Sequence, residues 1–122
     1  MDQDNTVANK IEDIASEYAN NTFLEPSVWD LKLFFGQWYQ SNNGEIDWHS
    51  GVTLPWMQAK LLAHYLAVNV ALYETLHGKI HIPSDLRPKV SSGLPPSEEN
   101  PMLVKSSEIV DELTRDFLNK LE

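Results

Sequence analysis

The chain has 122 residues, of which 42% are hydrophobic and 22% are charged, and it contains no cysteine. The missing cysteine excludes disulfides, thiol catalysis and zinc sites built on thiolates, and it suits a reducing compartment. Eighteen acidic residues against nine basic ones give a net charge of −9, which disfavours nucleic acid or an anionic membrane as a partner. We expect an acidic, single-domain protein of the cytoplasm, with no signal peptide and no membrane insertion.

The first predicted element is an amphipathic helix over residues 6–19, inside an N-terminal segment of residues 1–21. Apolar side chains recur there at helical spacing, at Val7, Ile11, Ile14, Ala15 and Tyr18, with acidic residues on the opposite side. The next predicted element begins at Val28.

Residues 28–39 alternate between apolar and polar side chains, which is the period-two pattern of a half-buried strand. Asn43-Gly44 follows, and this pair favours a two-residue type I′ turn because both central positions need a positive φ. The two signals together predict a β-hairpin.

The turn also predicts a register for the hairpin. Centred on Asn43-Gly44, it places Phe35 opposite Val52, Leu33 opposite Leu54 and Tyr39 opposite Trp48, all on one face. The other face carries Lys32, Gln40, Asp47 and His49, together with Phe34 and Trp38.

A long helix is predicted over residues 55–77, with Pro55 in its first turn and Gly78 just past its end. It is apolar around most of its circumference, so it must be covered on more than one side. The covering surface is the N-terminal helix, the C-terminal helix or another copy of the chain. Asn69 lies among the leucines, where a buried amide needs a hydrogen bond. Two interpretations stay open, a bond to hairpin or turn backbone and a polar residue that fixes the register of a helix–helix seam.

Beyond the helix, residues 83–104 form a Pro/Ser-rich linker. Residues 105–122 are predicted to form a C-terminal amphipathic helix with an apolar stripe at Ile109, Val110, Leu113, Phe117 and Leu121. Residues 22–82 remain as the hairpin-plus-helix core.

The sequence offers little catalytic chemistry. His77 and His81 have the spacing of two metal ligands on a helix, but Gly78 ends the helix between them. His49 and Asp47 share a strand face, where they would orient a ligand or relay a proton. No Gly-rich phosphate loop or nucleophile elbow occurs. We therefore expect no catalytic residue, no metal and no cofactor, and we keep a small enzyme or ligand-binding protein using His49 and Asp47 as a minor alternative.

Several motifs resemble those of a widespread family of small prokaryotic proteins known only as a domain of unknown function. They are Asp30-Leu31-Lys32-Leu33-Phe34-Phe35-Gly36, Ala59-Lys60-Leu61-Leu62, Asn69-Val70-Ala71-Leu72-Tyr73-Glu74, Gly78 and Ile80. The resemblance covers about residues 22–82, so both terminal helices lie outside it. Leu54-Pro55 stands where the family pattern has Ser-Pro. The resemblance implies no activity or cofactor, and it marks Asn69, Tyr73, Glu74 and Gly78 as structural positions.

These observations predict an α+β protein in which an antiparallel β-hairpin packs on one long apolar helix, with helical arms at both termini. The favoured function is a non-enzymatic, homodimeric protein-binding or adaptor module with one protein partner. The main alternative is an acidic chaperone that holds unfolded clients. The candidate interface residues are Asn69, Leu62, Leu66, Tyr73, Phe34, Trp38, Val110, Leu113 and Phe117.

Overall fold

The computed structural model describes residues 11–39, 43–90 and 101–122. Three strands come first, β1 (Asn21–Pro26), β2 (Asp30–Trp38) and β3 (Ile46–Pro55). Two helices follow, α1 (Trp56–His77) and α2 (Pro101–Lys120), with a short 3₁₀ helix at Ser84–Leu86 between them. This order confirms the predicted α+β class. The chain divides into two compact units, Met1–Val70 and Ala71–Glu122.

The N-terminal helix is shorter than predicted within the described residues. Helical backbone is present at Ile11 and Glu12, but residues 15–19 have no regular secondary structure. The backbone that follows is bonded to the sheet and does not continue the helix. The amide of Asn20 donates to the carbonyl of Gly36 at 3.0 Å. Residues 1–10, which carry the first part of the predicted helix, lie outside the described residues.

Strand β1 was not predicted. It pairs antiparallel with β2, which brings Phe23 opposite Phe34 and Leu24 opposite Leu33, and the sheet order is β1-β2-β3. Its sequence, Asn-Thr-Phe-Leu-Glu-Pro, sets two apolar residues side by side and so lacks the alternation that marks β2.

The turn between β2 and β3 has the predicted backbone conformation, but the predicted register is wrong. Asn43 and Gly44 have φ values of 53° and 78°, both positive as a type I′ turn requires. The ladder nevertheless pairs Leu33 with Val52 and Trp38 with Ile46. Regular pairing thus starts farther from the turn. The partner of Trp38 is displaced by three residues from the one expected, and the partner of Leu33 by two.

A β-bulge accounts for the difference between these two displacements. Phe35 pairs with Ser50 and Gly36 pairs with Trp48, so His49 is an extra residue on β3. Because successive strand residues point to opposite faces, the extra residue moves Trp48 to the face of Gly36 and Phe34. The expected pairing of Trp48 with Tyr39 is therefore wrong.

The long helix forms where the sequence predicts it. Helix α1 follows β3 with no connecting residue, and it ends at Gly78, whose φ is 96° and whose amide donates to the carbonyl of Glu74 at 3.0 Å. Helix α1 buries none of its side chains in the single chain. More widely, none of the apolar side chains within the described ranges is buried.

The C-terminal helix begins earlier than predicted. Helix α2 starts at Pro101, inside the segment expected to be linker, since proline is well suited to the first turn of a helix. Its candidate interface residues Val110, Leu113 and Phe117 are exposed. No helix in the described part of the chain has the length and apolar character needed to cross a membrane.

Candidate aromatic binding face of the sheet

Three aromatic side chains, one from each strand, meet on one face of the sheet. The ring centroids of Phe23 and Phe34 are 6.3 Å apart in a stacked arrangement. Those of Phe23 and Trp48 are 6.4 Å apart, edge to face. The three side chains line an open cavity of about 440 Å³. We call these three residues the aromatic cluster.

Two glycines make room for the aromatic cluster. A Cβ at Gly51, which faces Phe34 across the ladder, would lie 3.2 Å from the phenyl ring of Phe34. A Cβ at Gly36 would lie 2.8 Å from the indole ring of Trp48 and 2.9 Å from the carbonyl oxygen of Asp47. Each ring therefore covers a glycine on the neighbouring strand, an arrangement that lets it lie against the sheet.

The aromatic cluster is accessible from outside the single chain. Phe23 is 55% exposed and Trp48 is 44% exposed, while Phe34 is half-buried. Trp38 lies on the same face as Phe34 by strand alternation, as predicted, and it is also exposed. Since the cavity is lined by aromatic rings alone, it is suited to apolar side chains and offers no group for proton transfer or nucleophilic attack.

His49 has a structural role at the bulge. Its Nε2 lies 2.9 Å from the carbonyl oxygen of Tyr18, and its Nδ1 lies 2.7 Å from Oγ of Ser50. A carbonyl oxygen only accepts, so Nε2 carries the proton, and in the neutral ring Nδ1 accepts from the Ser50 hydroxyl. The Nε2 contact thus holds the segment before β1 against β3, while the Nδ1 contact lies within β3. Asp47 lies opposite Gln37 in the ladder, so its predicted position on the face of Phe34 and Trp38 is wrong.

Within the described ranges, no three histidine or acidic side chains come close enough together to hold a metal ion. The structure therefore identifies no metal-ligating group among those residues.

Asn69 forms its bond within its own helix rather than to the hairpin. Its Nδ2 donates to the carbonyl oxygen of Tyr65 at 2.8 Å, and the residue is exposed. The predicted interface residues around it are accessible as well, with Leu66 57% and Tyr73 53% exposed. Leu62 is half-buried. The structure places these four residues together on α1 and leaves their apolar surface open.

The end of α1 is fixed by the residues that the resemblance marks as structural. The carboxylate of Glu74 accepts from the amide of Ile80 at 2.9 Å. The ring of Tyr73 lies 4.8 Å from that of His77, centroid to centroid. Together with the left-handed backbone at Gly78, these contacts define where the helix stops.

The turn from β1 to β2 explains why the motif of residues 30–36 begins with an aspartate. The Oγ of Ser27 accepts from the amide of Asp30 at 3.0 Å and donates to the Asp30 carboxylate at 3.0 Å. The indole Nε1 of Trp56 donates to the carbonyl oxygen of Ser27 at 2.9 Å. This turn is therefore tied to the first residue of α1.

A second, smaller cavity of about 130 Å³ lies in the C-terminal unit. Its lining residues are Lys79, Ile80, His81, Ile82, Arg87 and Leu121. Arg87 donates from Nε to the carbonyl oxygen of Ile82 at 2.8 Å, and Lys79 donates to the carbonyl oxygen of Glu122. Two of its cationic groups are thus engaged by backbone.

Residues 2–82 match the family described as "Protein of unknown function (DUF3467)". The chain belongs to this family. The match confirms the resemblance and extends it to the N-terminal segment, whereas α2 lies beyond the matched residues. No curated protein and no solved structure matches the chain.

Four of the motif positions have structural roles here. Asp30 forms the β1–β2 turn, Gly36 accommodates Trp48, and Glu74 with Gly78 ends α1. The aromatic cluster, by contrast, includes Phe23 and Trp48, which sequence reasoning did not select for a site. Phe23 would have followed from recognising β1, but the bulge that brings in Trp48 has no clear sequence signal.

Proposed function

We propose that this protein is a non-enzymatic, homodimeric protein-binding module of the cytoplasm. Its aromatic cluster receives apolar side chains of a protein partner. The observation that carries this proposal is the exposure of Phe23, Phe34 and Trp48 together, around an open cavity of about 440 Å³.

A group of exposed aromatic rings indicates an interaction site more strongly than isolated exposed rings do. Scattered apolar side chains are normal on protein surfaces, but contiguous apolar patches mark interaction sites. Full burial of one large apolar side chain contributes about 1.5–3 kcal/mol, so covering three half-exposed rings supplies a useful share of a binding free energy. Aromatic residues are also the ones enriched at the centres of protein interfaces.

The homodimer is supported by α1. A helix that is apolar around most of its surface is normally enclosed, yet α1 buries none of its side chains in the single chain. Leu72 and Leu76 are 56% and 74% exposed. A second copy of the chain is present wherever the protein is, and its apolar surface would bury the exposed side chains of α1.

The test compares partner capture by wild-type protein with capture by variants of the aromatic cluster. Phe34→Ser and Trp48→Ser remove rings from the cavity, while Trp29→Ser removes an aromatic ring that is 84% exposed in the β1–β2 turn. A tagged protein in extract of its native cell should retain one specific partner, identified by mass spectrometry. We expect the two cluster variants to lose that partner and Trp29→Ser to keep it. Retention by both cluster variants would exclude the aromatic cluster as the binding site.

The chaperone alternative draws on a different observation, the spread of exposed apolar side chains over the sheet, α1 and α2. A chaperone binds many unfolded chains, whereas an adaptor binds one folded partner or motif. The two are separated by light scattering during dilution of an unrelated denatured protein. Suppressed aggregation at near-equimolar ratios would favour the chaperone, and no suppression would favour the adaptor.

A third alternative, chemistry at His49 and Asp47, has less support. The ring of His49 is held by Tyr18 and Ser50, so using it as an acid or base would first require breaking one of these bonds. We therefore place binding, and not catalysis, at the centre of the proposal.

A further inference from the structure

The sequence of α1 contains a nine-residue palindrome centred on Asn69. Residues 65–73, Tyr-Leu-Ala-Val-Asn-Val-Ala-Leu-Tyr, are the same in both directions. The next two pairs outward, His64 with Glu74 and Ala63 with Thr75, do not match. The identity returns at Leu62 and Leu76, which are each seven residues from Asn69. All of these residues belong to one continuous helix, Trp56–His77.

The symmetric residues also share one face of α1. At 100° per residue, positions three, four and seven residues from Asn69 all fall within about 60° of it. This stripe consists of Leu62, Tyr65, Leu66, Asn69, Leu72, Tyr73 and Leu76, and it is about 21 Å long. We call it the α1 stripe. Five of its apolar members are more than half exposed: Tyr65, Leu66, Leu72, Tyr73 and Leu76.

From this self-complementarity we infer that α1 packs antiparallel against α1 of a second copy, with the two-fold axis at Asn69. The inference rests on the proposed homodimer and specifies its geometry. In an antiparallel pair with this axis, each residue meets the one equally far on the other side of Asn69. Leu62 then meets Leu76, Tyr65 meets Tyr73, and Leu66 meets Leu72. Every layer is apolar against apolar, apart from the central one.

The central layer pairs Asn69 with Asn69 of the second copy. The amide already donates one N–H to the carbonyl oxygen of Tyr65, so it retains an acceptor oxygen and a second N–H. Two such amides across an axis bond to each other, which meets the requirement that a polar group buried in a seam be hydrogen-bonded. A single polar layer of this kind fixes the register of a helix pair, because every shifted register leaves both amides among leucines.

The palindrome favours the antiparallel arrangement over a parallel one. A parallel, in-register pair brings identical residues together for any sequence, so it does not require a palindrome. An antiparallel pair has matched layers only if the sequence is symmetric about the axis. Antiparallel helices also align their dipoles favourably, and since β3 runs directly into α1, the two sheets would lie at opposite ends of the helix pair.

The area is close to what a stable dimer needs. Burying the exposed parts of the α1 stripe removes on the order of 600 Å² per copy, against about 800 Å² per partner in a standard interface. Val68 and Val70, which flank the stripe and are 40% and 46% exposed, supply further contact at its margins.

Disulfide cross-linking tests the axis, because the chain has no cysteine of its own. Leu62→Cys and Leu76→Cys are oxidised separately and then after co-refolding as an equimolar mixture. We expect little covalent dimer from either variant alone and cross-linking of up to about half of the chains in the mixture, the share expected for random pairing. Asn69→Cys should cross-link with itself. Ala67→Cys, on the opposite side of α1, is the matched control and should not cross-link.

Circular dichroism of each reduced variant establishes that it folds, and light scattering gives its mass. More cross-linking of Leu62→Cys alone than of the mixture would indicate a parallel pair, in which identical residues meet, and would overturn the inference. A mass of twice 13.9 kDa with no cross-link in the mixture would also overturn it, while leaving the proposed homodimer in place through another surface. A chain that stays monomeric would overturn both the helix pair and the homodimer.

Discussion

The carboxylate of Glu74 accepts a hydrogen bond from the backbone amide of Ile80 at 2.9 Å, while the backbone carbonyl of Glu74 accepts from the amide of Gly78 at 3.0 Å. Glu74 therefore accepts hydrogen bonds from two backbone amides of the segment that follows α1, one through its side chain and one through its backbone. Helix C-termini leave backbone carbonyls without partners, and the segment that follows has amides of its own to satisfy. This arrangement explains why Glu74, Gly78 and Ile80 occur together in the motif that ends α1.

Replacing Glu74 separates its role as an acceptor from its charge. Glu74→Ala removes the bond to Ile80 and should lower the free energy of unfolding by about 1 kcal/mol. Glu74→Gln keeps an acceptor oxygen at the same distance along the side chain and should lose less than half of that. Urea denaturation followed by circular dichroism measures both. Equal losses would show that charge, and not hydrogen bonding, is what matters at this position.

Gly78→Ala should destabilise the protein by about 1–2 kcal/mol, the cost of the left-handed region for a residue with a Cβ. The φ of Gly78 is 96° and a Cβ there would have no atom within 4 Å, so the cost is conformational and not steric. Gly78→Asn is the matched control, since asparagine tolerates positive φ better than alanine does. Thermal unfolding should rank wild type above Asn and Asn above Ala.

Gly36→Ala should be more damaging than Gly51→Ala. At Gly36 the new methyl group would lie 2.8 Å from Ile46 and Trp48 and 2.9 Å from a backbone oxygen, whereas at Gly51 the nearest atom is a ring carbon of Phe34 at 3.2 Å. Overpacking of this kind typically costs about 1–3 kcal/mol, and the phenyl ring can shift where the backbone cannot. Denaturant melts measure the loss, and a red shift of tryptophan emission should accompany Gly36→Ala as Trp48 is displaced.

Much of the fold follows from local sequence signals. Helix α1 has a proline just before it and a glycine just after it, and β2 has clear alternation, so both are found within one or two residues of their predicted bounds. The register and β1 did not follow, because each depends on contacts between distant residues. The extra residue at His49 is stabilised by a bond to Tyr18, 31 residues away, and no pattern within either strand encodes it.

The candidate site was only partly predictable for the same reason. Phe34 and Trp38 were selected because alternation alone assigns them to a face. Trp48 was assigned to the opposite face, since its position depends on the bulge. The α1 residues Leu62, Leu66, Asn69 and Tyr73 were selected from helical periodicity, and the structure places them on one helix with their apolar surface open, which leaves their role as an interface to be tested.

His49→Leu should release the segment before β1. The variant loses the bond to Tyr18 and should cost about 0.5–1.5 kcal/mol. The hydrogen-bonded amides of Ile14 and Asn20 should then exchange hydrogen faster than in wild type. Asp47→Asn, on the same strand, is the control and should leave the exchange of these amides unchanged. Hydrogen exchange with mass spectrometry provides the measurement. Unchanged protection in His49→Leu would show that other contacts hold the segment.

Asn69→Leu should affect the specificity of association more than its strength. In the proposed helix pair both amides are replaced at once, so no partner is left stranded, and the free energy of unfolding should stay within about 1 kcal/mol of wild type or rise. The mass distribution should broaden toward higher oligomers, because leucine no longer penalises shifted registers. Denaturant melts with light scattering test both statements. A large loss of stability with unchanged mass would assign Asn69 to the bond with Tyr65 alone.

The bulge gives β3 an unusual tolerance to the loss of one codon. At most positions in a strand, deleting one residue moves every side chain on one side of the deletion to the opposite face of the sheet. At His49 the ladder already passes directly from Ser50 to Trp48, so a deletion there closes a gap in the pairing and leaves Trp48 opposite Gly36. Length variation in this strand, where it arises among related sequences, is therefore expected at this one position, at the expense of the link to Tyr18.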